Sequence, residues 1–244
     1  MRLKVEFNST TESVPSNLKH LNSFIHRILG ENNIYHNKSG DYSISHLCGG
    51  KLSKDRLTVS FPNGSPFIII TSEDMTFLNK IIVGLMDEKN KDYGFGVTFK
   101  NMTFINEELY NGWNHFFVLS PILIKGREEN DPRYINILSK DESGRHTVIN
   151  ENYKDRLQKQ IIHKFSTIDP TLDFSDFELV ISDKLKRVYN IMDKNVINSA
   201  SVFQFSVKTN KKVATMLYNI GVGQSTNSGF GTIYKTENYD LFKF

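Results

Sequence analysis

Eleven residues near the C-terminus, Gly221-Val222-Gly223-Gln224-Ser225-Thr226-Asn227-Ser228-Gly229-Phe230-Gly231, constrain this chain more than any other stretch. Four glycines stand around five small polar residues. Glycine takes φ > 0 freely and has no Cβ, so the backbone here can turn sharply and be approached closely. Two uses fit: a cradle of backbone N–H groups for a phosphate, or a tight connection between two apolar segments. It is not a Walker loop, since no lysine follows the last glycine, nor a dinucleotide fingerprint, since Thr226 stands where the third glycine belongs.

The rest of the chain reads as two similar halves. Arg2–Phe7 alternates at period two and predicts a strand, followed by a polar loop over Ser9–Ser16. Leu18, Leu21, Phe24, Ile25 and Ile28 recur at helical spacing between a Ser16 N-cap and Gly30. Tyr42–Leu47, Leu57–Phe61 and Phe67–Thr71 predict strands, with Gly49-Gly50 turning between the first two. Ser72-Glu73-Asp74 caps a helix whose apolar face is Met75, Leu78, Ile81, Ile82 and Leu85, and Gly94–Ile105 follows as a strand. The order is β-α-β-β-α-β, the split ferredoxin-like unit. The second half repeats it in outline: strand His115–Lys125 with a hairpin partner Arg133–Leu138, helix Asn152–Phe165, strands Phe174–Ile181 and Ser201–Val207, helix Lys211–Tyr218 and strand Phe230–Tyr234. The expectation is an α+β protein of two tandem ferredoxin-like (RRM-like) βαββαβ domains, residues 1–116 and 117–244.

Composition narrows the function classes. A 244-residue chain that is 39% hydrophobic can bury real cores. No apolar run approaches the ~20 residues of a membrane span and no secretory leader pattern opens the chain, so a cytoplasmic protein without a membrane partner is expected. The single cysteine, Cys48, cannot form an internal disulfide and reads as a buried thiol; no Cys/His cluster has zinc spacing, so neither metal nor cofactor is expected. The net charge of +3 is unevenly placed: residues 1–118 hold 12 basic and 12 acidic side chains, residues 119–244 hold 18 and 15. Lys184-Leu185-Lys186-Arg187 and Lys208-Thr209-Asn210-Lys211-Lys212 can neutralise phosphates or simply form a solvated surface. The phenylalanines mostly alternate within strands as core, and neither half carries an aromatic-rich RNP1 pattern.

Gly-Val-Gly, five polar or small residues, then Gly-Phe-Gly before a short final strand resembles the signature loop of the RAMP superfamily of CRISPR-associated RNA-binding proteins. Within it, the chain is most similar to the stand-alone endoribonuclease of the sixth Cas family, which cuts the precursor repeat transcript. The strand Met1-Arg2-Leu3-Lys4-Val5, the helix carrying Ser23-Phe24-Ile25-His26, the turn Ser120-Pro121-Ile122 and Met216-Leu217-Tyr218 before the glycine loop fit that family in order. Gln224-Ser225-Thr226 departs from it, standing where charged residues are frequent; that leaves a backbone-donor role for the loop.

The resemblance implies metal-independent cleavage of CRISPR repeat RNA or, alternatively, a catalytically silent RNA-binding subunit of an effector complex. The implied partners are repeat RNA and other Cas effector subunits, with the protein a monomer or homodimer. It implies His36, in Tyr35-His36 after the first helix, as general acid/base and His26, after Ile25, as a second catalytic position. Lys38 is the implied cation, with Lys51 as a second candidate. Lys184, Lys186, Arg187, Gly221, Gly223, Gln224, Ser225, Gly229 and Gly231 are implied to grip the RNA. His46 is a further candidate that can substitute for His36, His20 reads as solvated, and His115, His146 and His163 receive no role. Histidine suits proton transfer near neutral pH, and RNA supplies its own nucleophile, the 2′-OH.

Overall fold

The computed structural model describes residues 1–15, 18–30, 33–35, 41–53, 58–62, 65–126, 129–193 and 196–236. The first half contains β1 (Arg2–Ser9), β2 (Ser13–Pro15), α1 (Leu18–Leu29), β3 (Tyr42–Ile44), β4 (Lys51–Leu52), β5 (Thr58–Ser60), β6 (Phe67–Ser72), α2 (Met75–Met86), β7 (Asp92–Gly94) and β8 (Val97–Ile105). The second contains β9 (Gly112–Val118), β10 (Leu138–Lys140), β11 (His146–Ile149), α3 (Tyr153–Ile168), β12 (Glu178–Asp193), β13 (Val196–Thr209), α4 (Lys211–Ile220) and β14 (Ile233–Lys235).

The two main sheets are antiparallel, in the orders β3-β6-β1-β8-β7 and β12-β13-β9-β14. In each, the first strand of the β-α-β-β-α-β unit lies between the third and the fourth, which is the ferredoxin-like arrangement. The protein is therefore a double ferredoxin-like α+β fold. β9 spans the 116/117 boundary and pairs wholly within the second sheet.

Period-two alternation places Leu3, Val5 and Phe7 of β1 in the core, and α1 covers them with Leu18, Leu21, Phe24, Ile25 and Ile28, all as the pattern requires. Helix α2 starts at Asp74, whose carboxylate accepts from the N–H groups of Thr76 and Phe77. Its buried face is Phe77, Leu78, Ile81 and Leu85, so Phe77 takes the inward place expected of Met75, which is 40% exposed. The cause is aromatic packing: Phe77 stacks on Tyr42 at 4.3 Å and meets the edge of Tyr35 at 5.0 Å.

Several expected boundaries move. The polar segment before α1 contains β2, because Val14 is fully buried, and β2 joins β5 and β4 in a separate small sheet. The stretch Gly94–Ile105 splits into β7 and β8 around Phe95 and Gly96, both at positive φ. β9 ends at Val118; beyond Ser120-Pro121 only single bridges form, Ile122 to Ser201, Leu123 to Gln224 and Lys125 to Tyr134. Arg133–Ile135 does turn back on Ile124–Gly126, with Gly126 N–H donating to the Arg133 carbonyl and Ile135 N–H to that of Ile124, but Leu138 pairs with Ile149 instead.

The largest departure is β12–β13, expected as two short strands and found as one hairpin of 16 and 14 residues. Its register runs to Asp193 opposite Val196, with one irregularity between Ile181 and Lys186. At ~3.3 Å per residue such an arm is about 50 Å long. Only its base pairs with β9; Ile191 and Ala200, farther out, belong to the core of the first half.

The halves are joined by more than apolar contact. Leu123 and Phe230 also enter the first core. The last carbonyls of a helix lack intrahelical partners, and at the end of α4 the first half supplies them. Arg2 Nη2 donates to the Tyr218 carbonyl at 2.7 Å and Thr71 Oγ1 to that of Asn219 at 2.6 Å. Arg2 is fully buried with its guanidinium 3.5 Å above the Tyr218 ring, and burial lowers its pKa to about 10. The charge survives at neutral pH because the π face and the negative end of the helix dipole both favour a cation. Among the described residues no helix is long and apolar enough to cross a membrane.

Candidate functional site

The glycine loop lies at the junction of the halves. Helix α4 ends at Gly221, whose φ of 78° and ψ of 173° belong to a region that is essentially glycine's alone. Gly223, Gly229 and Gly231 also have positive φ, as does Ser225 at 56°. The chain folds back on itself, with Val222 N–H donating to the Gly231 carbonyl at 2.8 Å and Gly231 N–H to that of Pro121 at 3.0 Å. Gly221 N–H donates to the Leu217 carbonyl, Gln224 N–H to that of Leu123 and Ser228 N–H to that of Ser225. These five donors are spent inside the protein, so a phosphate cradle cannot draw on them. The glycines serve close approach instead: a Cβ on Gly229 would lie 2.8 Å from Leu18 and 3.1 Å from Leu21 of α1, and 3.3 Å from His46.

The same loop holds the strand β3. Ser43 Oγ and Thr232 Oγ1 share a buried hydrogen bond of 2.5 Å, and Thr226 Oγ1 donates to the Tyr42 carbonyl at 3.0 Å. Tyr42 in turn donates its hydroxyl to the Tyr35 carbonyl at 3.2 Å, and the Tyr35 hydroxyl donates to the Asp74 carboxylate at 3.0 Å. Tyr35 and Tyr42 are both buried. His36 and Lys38, between them in the sequence, lie outside the described residues.

His26 is half-buried in the last turn of α1, the helix on which the loop rests. His46 follows β3; its ring meets Phe230 edge-on at 6.0 Å, and its backbone N–H donates to Ser120 Oγ at 2.9 Å. Its Nε2 is shut off from water, and burial lowers its pKa to about 4, which makes it a neutral ring at physiological pH and a poor proton donor there. Lys51 is exposed on β4 of the small sheet. Lys184 and Lys186 flank the end of the irregular stretch of β12, with Arg187 beside them and exposed. In the second basic cluster, Lys212 is paired with Asp169 at 2.6 Å, which also holds that carboxyl well below the usual range. His20 is not simply solvated: its ring sits edge-on against Phe95 at 4.5 Å. Burial pushes the Cys48 thiol up to about 12, so it is no nucleophile. Among the described residues no group of three His, Cys, Asp or Glu could hold a metal ion.

Sequence reading missed Lys164 of α3. Its ammonium lies beneath the loop, 3.4 Å from the Gly221 carbonyl and 3.3 Å from Thr226 Oγ1. Burial lowers its pKa to about 7, with Asp41 pulling the other way. Nothing in Gln160–Ile168 marks this lysine among the others of an amphipathic helix; only the fold turns it inward.

Comparison with known proteins completes the picture. The family model for "CRISPR associated protein Cas6, C-terminal" matches residues 105–234. Comparison with curated proteins finds no match. Among solved structures, a Cas6-related gene product from Pyrococcus furiosus superposes with a TM-score of 0.78 at 19% identity, covering 98% of this chain and 99% of that one. A RAMP protein binding different RNA substrates gives 0.77 at 20% identity, over 97% and 100% of the two chains. A CRISPR-associated protein Cas6 gives 0.70 at 17% identity, over 97% and 99%.

Proposed function

The chain belongs to the Cas6 family of CRISPR-associated proteins, and from that premise we propose that it binds CRISPR repeat RNA and cleaves it without a metal ion. The observation that carries this reading is the seat of the glycine loop. It rests on the helix that bears His26, and through Thr226 it holds the strand that follows His36.

In the proposed reaction the ribose 2′-OH attacks the adjacent phosphorus. A histidine takes the hydroxyl proton as the O2′–P bond forms, and a second proton donor protonates O5′ as the P–O5′ bond breaks. The products are a 2′,3′-cyclic phosphate and a 5′-OH, and DNA, lacking the nucleophile, is not cut. His36 and His26 are the proton-transfer pair, and Lys38 offsets charge growing on the non-bridging oxygens. His46, neutral and with its Nε2 shut off from water, supports the fold rather than the proton donor's role. The half-buried Gln224, Ser225, Asn227 and Ser228 of the loop, with Lys184, Lys186 and Arg187 of the hairpin, contact the RNA backbone.

The test is single-turnover cleavage of repeat RNA from the same genome in EDTA, alongside His36→Ala. Loss of one proton-transfer partner lowers the rate on the order of 10²–10⁴-fold, while a gel shift by the variant persists. A wild-type rate in His36→Ala removes that residue from the mechanism. Binding without any cleavage by the unaltered protein decides for a silent RNA-binding subunit.

A further inference from the structure

Lys164, Thr226, Tyr42 and Tyr35 are linked by three hydrogen bonds, the link passing through the body of Tyr42 from its carbonyl to its hydroxyl. The Lys164 ammonium donates to Thr226 Oγ1 at 3.3 Å, Thr226 donates to the Tyr42 carbonyl at 3.0 Å, and the Tyr42 hydroxyl donates to the Tyr35 carbonyl at 3.2 Å. The link ends on the residue that immediately precedes His36 in the sequence. It starts in the second half of the protein, on α3, and finishes in the first, on the stretch that carries the proposed acid/base.

A half-buried lysine under a loop needs a reason to stay there, because drawing an ammonium partly out of water is unfavourable. A packed apolar side chain would fill the same space without that penalty. What the ammonium adds is direction: it orients the lone pairs of Thr226, so that the threonine hydrogen points to Tyr42, and it holds the Gly221 carbonyl where α4 ends. Asn227, next along the loop, also bonds the Tyr42 side chain, so the loop touches Tyr42 at both its carbonyl and its hydroxyl.

We propose that Lys164 is a positioning residue for RNA cleavage, acting through Thr226 and Tyr42 to fix the backbone at Tyr35, the residue before His36 in the sequence. The inference rests on the nuclease reading for its effect on rate. The connection itself does not, and the two are tested apart.

The experiment compares Lys164→Met, Thr226→Val and the double variant. Thr226→Val keeps the shape and removes only the hydroxyl, so it serves even where Lys164→Met fails to fold. Misplacing a reacting group by a fraction of an ångström lowers a rate by about 10-fold or more, so each single variant slows single-turnover cleavage by ~10-fold with repeat-RNA affinity held within about twofold. Links in series are not additive, so the double variant is no slower than the slower single one, and Thr226→Ser restores the rate. Unchanged cleavage in folded single variants, multiplied losses in the double, or a loss confined to RNA affinity overturns the proposal.

Hydrogen exchange at Asp41–Ile44 provides the arm that needs no activity. It speeds up in both single variants and no further in the double. Unaltered exchange there overturns the connection whether or not the protein cuts RNA, whereas failure of the unaltered protein to cut, with exchange as expected, sinks only the nuclease reading.

Discussion

Replacing Gly221 by alanine tests whether the glycine loop is a clasp between the halves or a flexible tether. At φ 78° and ψ 173° the backbone holds a conformation that strains any residue with a Cβ, at about 1–3 kcal/mol. The new methyl group also has nowhere to go, since it would lie 2.8 Å from the Gly231 carbonyl oxygen, 2.8 Å from Ser43 Oγ and 3.0 Å from Ser43 Cβ. Relief means moving Ser43, which breaks its buried hydrogen bond with Thr232, worth about 1 kcal/mol. It also stretches the Val222-to-Gly231 bond that closes the loop. Together these predict a loss of about 3–5 kcal/mol, a large part of a typical folding stability.

Gly144→Ala is the control. Its φ is 79°, but a Cβ there meets nothing within 4 Å, so only the ~1–2 kcal/mol left-handed term applies. Urea unfolding, followed by far-UV circular dichroism and by the single tryptophan, Trp113 of β9, separates the two. At a slope of about 2–3 kcal/mol per molar urea the Gly221→Ala midpoint falls by more than 1 M. Both probes shift together because the clasp joins both halves. A Gly221→Ala midpoint equal to that of Gly144→Ala refutes the reasoning.

Two other outcomes follow from the site. His46 is neutral in the fold, with a pKa of about 4 against 6.5 when unfolded, so the unfolded chain binds the extra proton between these values. Stability is therefore complete above pH 6.5 and declines as pH falls to 4, by up to ~3 kcal/mol at ~1.4 kcal/mol per unit; melts of His46→Gln lose that part of the slope, and parallel curves for the two proteins exclude it. Removing the positive charges of Lys186 and Arg187 together lowers the slope of log affinity against log salt by about 2 if both meet phosphates; an unchanged slope places the hairpin outside the RNA path.

The order of elements was legible because it is written locally. Alternation in Arg2–Phe7, the helical spacing of Leu18 to Ile28, the Asp74 cap and the glycine run each depend on neighbours a few residues away, and together they specify two ferredoxin-like units. Where local signals were silent the reading fell short. Val14 drew a polar loop into a strand, and Ile191 and Ala200 carried a hairpin arm onto the opposite core. The glycine run announced tight backbone geometry but not its use. Gly221 and Gly229 are explained by Ser43, Leu18, Leu21 and His46, residues about 180 or more positions away in the chain, and Gly223 by Ile122 and Leu123, about 100 away; only Gly231 answers to the loop itself, at Val222. The state of the ionisable groups was likewise hidden: a histidine held neutral and a lysine brought near its titration point are products of burial and of partners recruited by folding. Sequence fixes which groups can carry a proton or a charge, since that is covalent chemistry. Only tertiary structure decides which of them are kept from water and what they face, since solvation and long-range contact exist only once the chain has closed on itself.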